Sequence, residues 1–120
     1  EAMKAKRFED LEVWGKAHQL VLNVYQLTKD FPHEEKFGLV SQMRRSAVSV
    51  PANIAEGFNK RTLRDKSHFY NIAQNSLEEL RYYFILANDL GFMKEPQKCL
   101  NSAEEIGRML SGLIKSIHQT

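Results

Sequence analysis

The longest periodic stretch of the chain decides its fold class. Residues 62–91 read TLRDKSHFYNIAQNSLEELRYYFILANDLG, in which apolar or small residues recur every three or four positions. This spacing places them on one face of an α-helix. Thr62 followed by Asp65 is typical of a capped helix N-terminus, and Gly91 suits the left-handed residue that ends a helix. The stretch predicts one long amphipathic helix with the stripe Phe69, Ala73, Ser76, Leu80, Tyr83, Ala87 and Leu90.

The same period recurs in three other segments. Pro32 separates the first segment from the second, and Pro96 opens the fourth, where its missing N–H costs little. Short connections between long helices favour antiparallel neighbours, so the pattern predicts an all-α, up-down-up-down antiparallel four-helix bundle. The stripes predicted for the first, second and fourth helices are Leu11, Trp14, Ala17, Val21, Val24, Thr28 and Phe31; Val40, Met43, Ala47, Val50, Ile54 and Phe58; and Cys99, Ala103, Ile106, Leu110, Leu113 and Ile117.

Pro51 lies inside the second predicted helix. A proline there removes one backbone hydrogen bond and clashes with the carbonyl four residues earlier, which leaves either a kinked helix or two shorter ones. The apolar stripe keeps its phase from Val40 to Phe58, which favours a single helix kinked near Pro51. Gly57, beyond the proline, would permit the close approach of another backbone.

Composition indicates an ordinary globular domain. The chain has 120 residues, of which 42% are hydrophobic and 27% charged. We expect residues 8–118 to form one bundle domain and residues 1–7 to be a disordered or tag-derived N-terminus. No apolar run reaches the roughly 20 residues that span a bilayer, so no membrane partner is expected. Cys99 is the only cysteine, which excludes an internal disulfide and favours a cytoplasmic location.

Apolar residues extend beyond the predicted stripes. They are Val13, Leu20 and Leu27 on the first helix, and Tyr82, Ile85 and Leu86 on the third. A surface helix of a monomer usually has one apolar face about 100° wide or somewhat wider. Wider coverage favours self-association into a homo-oligomer. The alternative is a broad core-facing stripe with Leu20, Leu27 and the tyrosines at its edges.

No residue pattern indicates catalysis or metal binding. The four histidines are scattered, with no two on one helical face, and the glycines are too isolated to form a phosphate loop. Cys99 lies on an apolar stripe, and no serine stands in a nucleophile-elbow context. The sequence therefore predicts a non-enzymatic protein with no catalytic residue, metal, cofactor or small-molecule substrate.

Polar residues on the second helix form a second pattern. Arg45, Ser49, Asn53 and Glu56 step by four, four and three positions, so they share one face. With polar groups of the third helix they could form a hydrogen-bond network that fixes helix register or subunit orientation. A ligand site is the alternative interpretation. The predicted structural or interface network comprises Arg44, Arg45, Ser49, Asn53, Glu56 and Glu79.

Basic residues gather near two helix ends. In an up-down bundle, the start of the first helix and the end of the second lie at the same end of the molecule. The positive charges there could contact phosphates without sequence preference, or simply keep a loop solvated. The candidate nucleic-acid-binding residues are Lys60, Arg61, Arg64, Lys66, Lys6 and Arg7. The net charge of +2 is too even to indicate a nucleic-acid binder by itself.

Several segments together resemble a known bacterial family. They are FEDLEVW at residues 8–14, QMRRSA at 42–47, SVPANIAEG at 49–57 and SLEEL at 76–80. The match runs from Phe8 to about Leu113 and resembles the four-helix-bundle family of 23S rRNA intervening-sequence proteins. It is also similar to the accessory protein of diversity-generating retroelements, a basic pentamer that works with a reverse transcriptase and nucleic acid.

This resemblance implies a left-handed up-down bundle assembled as a ring-shaped homopentamer, with no established enzymatic activity. Together with the basic residues, it predicts an oligomeric bundle that binds RNA or another nucleic acid. The alternative is a protein-interaction scaffold or adaptor that makes no nucleic-acid contact.

Overall fold

Four helices account for most of the chain. The computed structural model describes residues 4–118, which contain no strand. The helices are α1 (Glu12–Thr28), α2 (Leu39–Asn59), α3 (Leu63–Asp89) and α4 (Gln97–His118). Short 3-10 turns at Phe8–Asp10 and His33–Glu35 precede α1 and α2. The predicted all-α class is confirmed. Residues 1–3, part of the predicted disordered or tag-derived segment, lie outside the described residues.

The helices pack in a closed cycle. Each helix packs against its neighbour in sequence and α4 returns to α1, whereas within residues 4–118 no Cα atoms of the diagonal pairs lie within 8 Å of each other. Arg44, near the start of α2, bonds to Thr28 at the end of α1. Ser67, near the start of α3, lies 2.9 Å from His118 at the end of α4. These pairs show antiparallel neighbours, so the predicted up-down-up-down bundle is confirmed.

Local signals set the ends of α3. The Thr62 hydroxyl accepts a hydrogen bond from the Asp65 N–H at 3.1 Å, which caps the helix N-terminus. At the other end Gly91 has a φ of +79°, and the Phe92 N–H donates to the Ala87 carbonyl at 2.9 Å. This is the Schellman arrangement that a glycine permits. Both predicted helix ends are confirmed.

The phase of α1 differs from its predicted stripe. Val13 and Leu20, predicted to lie off the stripe, are buried in the core, while Trp14 and Val21 are only half-buried. Leu27 also packs against the core. Because α1 contacts both α2 and α4, its buried arc is wider than a single three-to-four stripe. The apolar excess inferred for these three residues was therefore wrong.

On α3, Ala73, Leu80 and Ala87 of the predicted stripe are buried as expected, but the other half of the buried face lies one position further along the chain than predicted. Tyr70, Leu77 and Phe84 are buried at seven-residue intervals, whereas Phe69 is half-buried and Leu90 is exposed. Since α3 packs between α2 and α4, the centre of its buried face lies between the two neighbours. The predicted stripes of α2 and α4 agree closely with the observed core.

The helix α2 runs without interruption through the buried Pro51. The single helix predicted there is confirmed, and the kink stays a prediction. A Cβ added to Gly57 would lie 2.6 Å from Tyr70 Cε1. The close approach predicted at this glycine therefore involves a buried aromatic ring, not another backbone as expected.

Candidate nucleic-acid interface

The antiparallel packing brings four helix termini together at one end of the bundle: the starts of α1 and α3 and the ends of α2 and α4. We call this end, with its six candidate cations, the basic end. Arg61 and Arg64 lie at the α2–α3 turn and in the first turn of α3, and both are exposed. Neither guanidinium has an ion-pair or hydrogen-bond partner within residues 4–118. Both are therefore available to an external anion.

Asp10 positions the two N-terminal cations. Its Oδ2 accepts hydrogen bonds from the backbone N–H groups of Lys6 and Arg7, both at 3.1 Å. This holds the backbone before α1 at the basic end. The Lys6 side chain is exposed, whereas the Arg7 Nη2 lies 2.9 Å from Glu9 Oε2.

Lys60 makes two contacts that leave its charge accessible. Its Nζ lies 3.6 Å from Glu56 Oε2, and 5.0 Å from the ring centre of Phe69. An exposed ion pair of this kind contributes at most about 1 kcal/mol to stability. A phosphate group can compete with the Glu56 carboxylate for this ammonium.

Lys66 makes a different kind of contact from the other five cations. Its Nζ donates hydrogen bonds to the carbonyls of Phe58 at 2.7 Å and Gly57 at 3.3 Å, in the last turn of α2. The last carbonyls of a helix lack partners within the helix, and Lys66 supplies one from α3. Partial burial lowers the pKa of its ammonium. The structure thus places this cation on the protein's own backbone.

The predicted polar network is only partly brought together. Ser49 Oγ lies 2.7 Å from Ser76 Oγ, which joins α2 to α3. The Asn53 Nδ2 donates to Ser49, at 2.8 Å to its carbonyl and 2.9 Å to its hydroxyl. Glu56 instead pairs with Lys60, and the exposed Glu79 lies outside this cluster.

The two arginines of the network point elsewhere. Arg44 Nε donates to Thr28 Oγ1 at 3.0 Å, and its guanidinium carbon lies 4.5 Å from the centre of the Tyr25 ring. Arg45 is exposed without a partner within residues 4–118. Sequence reasoning missed Tyr25 and Phe37, which lie beside these arginines along α2. An isolated aromatic residue has no periodic signal that would single it out.

Metal-binding clusters and membrane-spanning helices are both absent from residues 4–118. No three histidine, cysteine, aspartate or glutamate side chains gather there in a way that could hold a metal ion. No helix in the described part of the chain is long and apolar enough to cross a membrane.

The match to known proteins covers most of this fold. A model of the 23S rRNA-intervening sequence protein family matches residues 9–112. The chain belongs to this family. The membership expected from the sequence motifs is thereby confirmed. The matched residues include Arg61 and Arg64, whereas Lys6 and Arg7 precede them.

A solved structure supports the same assignment. It is a crystal structure of a protein with unknown function from the S23 ribosomal protein family of Bacteroides thetaiotaomicron, and its TM-score to this chain is 0.79. The two chains are 26% identical, over 86% of this chain and 95% of the other. No curated protein matches the chain significantly.

Proposed function

We propose that this chain is a non-enzymatic, oligomeric, cytoplasmic bundle that binds RNA through its basic end. The observation that carries the proposal is the pair of exposed, unpartnered guanidinium groups of Arg61 and Arg64. A guanidinium group presents a planar fork of N–H donors that matches the oxygens of a phosphate group. Contacts of this kind are independent of base sequence and weaken as salt rises.

The other cations of the basic end differ in how readily they can contact a phosphate group. Lys6 adds an exposed ammonium, while Lys60 and Arg7 contribute by exchanging their weak ion pairs with Glu56 and Glu9 for phosphate contacts. Lys66 is already bonded to the Phe58 carbonyl, so of the six candidate cations it is the least available to a phosphate. Phosphate contacts of this kind fit RNA or another nucleic acid, and we take RNA as the partner to test first.

Exposed apolar pairs support self-association. On α1, Leu22 and Tyr25 lie one helical turn apart and are 49% and 40% exposed. On α3, Tyr82 and Ile85 are 57% and 45% exposed. Because α1 and α3 are diagonal in the bundle, the two pairs face different sides. A contact between two different surfaces joins subunits head to tail. Such a contact forms a closed ring when the rotation from one subunit to the next divides a full turn evenly. The family resemblance implies that the ring has five subunits.

Filter binding with a structured RNA tests the RNA proposal. At low salt the wild-type protein is expected to retain the RNA, and a variant carrying Lys60→Ala, Arg61→Ala and Arg64→Ala is expected to lose most of that affinity. The control replaces Lys94 and Lys98, which precede and open α4 at the opposite end, by alanine. Absence of binding by the wild type at low salt, or unchanged binding by the triple variant, would refute the proposal.

A further inference from the structure

A groove along the outer side of α2 has an unusual combination of charge and aromatic surface. It is bounded by Tyr25 on α1, by Lys36 and Phe37 before α2, and by Arg44, Arg45 and Asn53 on α2. None of the described residues that line it carries a carboxylate. Glu35, which precedes Lys36, accepts the Leu39 N–H at 3.2 Å, and Glu56, one turn beyond Asn53, pairs with Lys60.

Two aromatic rings line this groove beside its positively charged side chains. Phe37 is 88% exposed, more than any other large apolar side chain within the described residues. The Lys36 Nζ lies 5.5 Å from the centre of its ring. The Tyr25 ring, which belongs to the proposed contact between subunits, is stacked by the Arg44 guanidinium at 4.5 Å, so Phe37 is the ring left open to a base. Aromatic faces and guanidinium planes are the surfaces on which proteins stack unpaired bases.

The geometry points to this groove as a binding site for single-stranded RNA. An unpaired base stacks on Phe37, and the flanking phosphates contact Lys36 and Arg45. Charge decides between the candidate occupants, since the groove offers three cations and no anion to a partner. That combination suits a polyanion with apolar faces better than the mixed surface of a second protein chain.

The groove and the basic end lie at opposite parts of α2. Phe37 precedes the helix and Arg61 follows it. The 21 residues of α2 make it about 30 Å long. A single strand in the groove therefore continues toward the basic end, where the structured part of the same RNA binds. The inference shares with the proposed function only the choice of RNA as partner, because it uses different residues.

The groove has few groups that could select a base. Asn53 Nδ2 is already bonded to Ser49, and the Ser49 hydroxyl is bonded to Ser76. Stacking and phosphate contact are tolerant of sequence. We therefore expect binding of unpaired RNA with weak base preference.

Fluorescence anisotropy with labelled oligouridine of about twelve nucleotides, which fits the site sizes of other single-strand binders, tests the inference. Phe37→Ala is expected to weaken binding at least about fivefold, the lower end of the effect of losing one stacked base. Arg45→Gln is expected to weaken binding and to make it less dependent on salt, because it removes a phosphate contact. Phe37→Trp is expected to bind oligouridine about as tightly as the wild type does. A base stacked on the added tryptophan is expected to quench its fluorescence. Phe37 is so exposed that its replacement leaves the core intact.

Two control variants match these changes. Leu90→Ala removes an exposed apolar side chain at the same end of the bundle but outside the groove. Lys98→Gln removes an exposed positive charge on α4. Both are expected to leave oligouridine affinity within about twofold of wild type, because neither contacts the groove.

The remaining outcomes separate this inference from the proposed function. If Arg61→Ala with Arg64→Ala leaves duplex RNA binding unchanged but Phe37→Ala still weakens oligouridine binding, only the basic-end proposal fails. Unchanged oligouridine affinity in Phe37→Ala overturns the groove. A Phe37→Ala variant that changes the mass of the assembly in light scattering, without loss of oligouridine affinity, would show a contact between protein copies and also overturn it.

Discussion

Among the six glycines, Gly57 is the one at which an added methyl group has the least room. A Cβ there would lie 2.6 and 2.8 Å from two ring carbons of Tyr70, whose side chain is buried in the core. We predict that Gly57→Ala lowers the free energy of unfolding by about 1–3 kcal/mol, the usual cost of overpacking a core. Urea denaturation followed by circular dichroism measures the change.

Gly112→Ala is the matched control for this substitution. Gly112 lies inside α4, and an added Cβ would meet no atom within 4 Å. Replacing glycine by alanine in a helix interior stabilises it by about 0.5–1 kcal/mol. A Gly57→Ala variant that also gained stability would contradict the tight packing of Tyr70 against α2.

Tyr70 gives the protein a specific sensitivity to alkaline pH. Burial raises the pKa of its hydroxyl from 10.0 to about 12. Between these values the folded protein keeps a proton that the unfolded chain has released, so rising pH favours unfolding. We predict that wild-type stability falls above pH 10, by roughly 1 kcal/mol per pH unit from this residue.

Tyr70→Phe isolates this contribution. Because phenylalanine does not titrate, the difference in unfolding free energy between the two proteins should change as the pH rises above 10 in urea titrations. A difference that stays constant through this range would show that Tyr70 does not retain its proton in the folded state.

At the scale of helices, the hydroxyl pair of Ser49 and Ser76 joins α2 to α3. The two oxygens lie 2.7 Å apart, and Asn53 donates a further bond to Ser49. We predict a coupling of about 1 kcal/mol in a double-mutant cycle of Ser49→Ala and Ser76→Ala, the typical net value of one hydrogen bond. Thermodynamic additivity of the two substitutions would contradict the contact.

The sequence predicted those helices whose packing follows a simple local stripe. The ends of α3 depend on Thr62 and Gly91, whose effects are local, and they were predicted correctly. On α1 and α3, alternate positions of the predicted stripe were one residue off, because the side from which a helix meets its neighbours is set only in the assembled bundle. A single chain segment does not contain the position of those neighbours.

In the candidate site too, features that depend on local sequence were predicted, and features that depend on packing between helices were not. Arg61 and Arg64 were expected to be exposed because they lie at a turn, and they are. The bond from Lys66 to the Phe58 carbonyl depends on how α3 packs against the end of α2. Phe37 gained its significance only when folding placed it beside Arg45. Neither relation follows from spacing along the chain.

At the scale of the whole molecule, the exposed apolar pairs on diagonal helices predict an assembly. Light scattering at micromolar concentration should give an oligomer, with five subunits as the family resemblance implies. Tyr82→Asp with Ile85→Asp should reduce the mass toward that of the monomer, because it places charge on an apolar contact. The control, Leu63→Asp, changes an exposed apolar residue at the start of α3, away from this pair. A monomeric wild type would contradict the prediction.

The salt dependence of RNA binding tests the central claim most directly. The slope of log Kobs against log salt counts the phosphate contacts that a protein makes. If Arg61 and Arg64 each contact a phosphate, replacing both by alanine should reduce the steepness of that slope by about 2 in each subunit that engages the RNA. A wild-type slope near zero, or the same slope in the double variant, would contradict the claim that the basic end binds RNA.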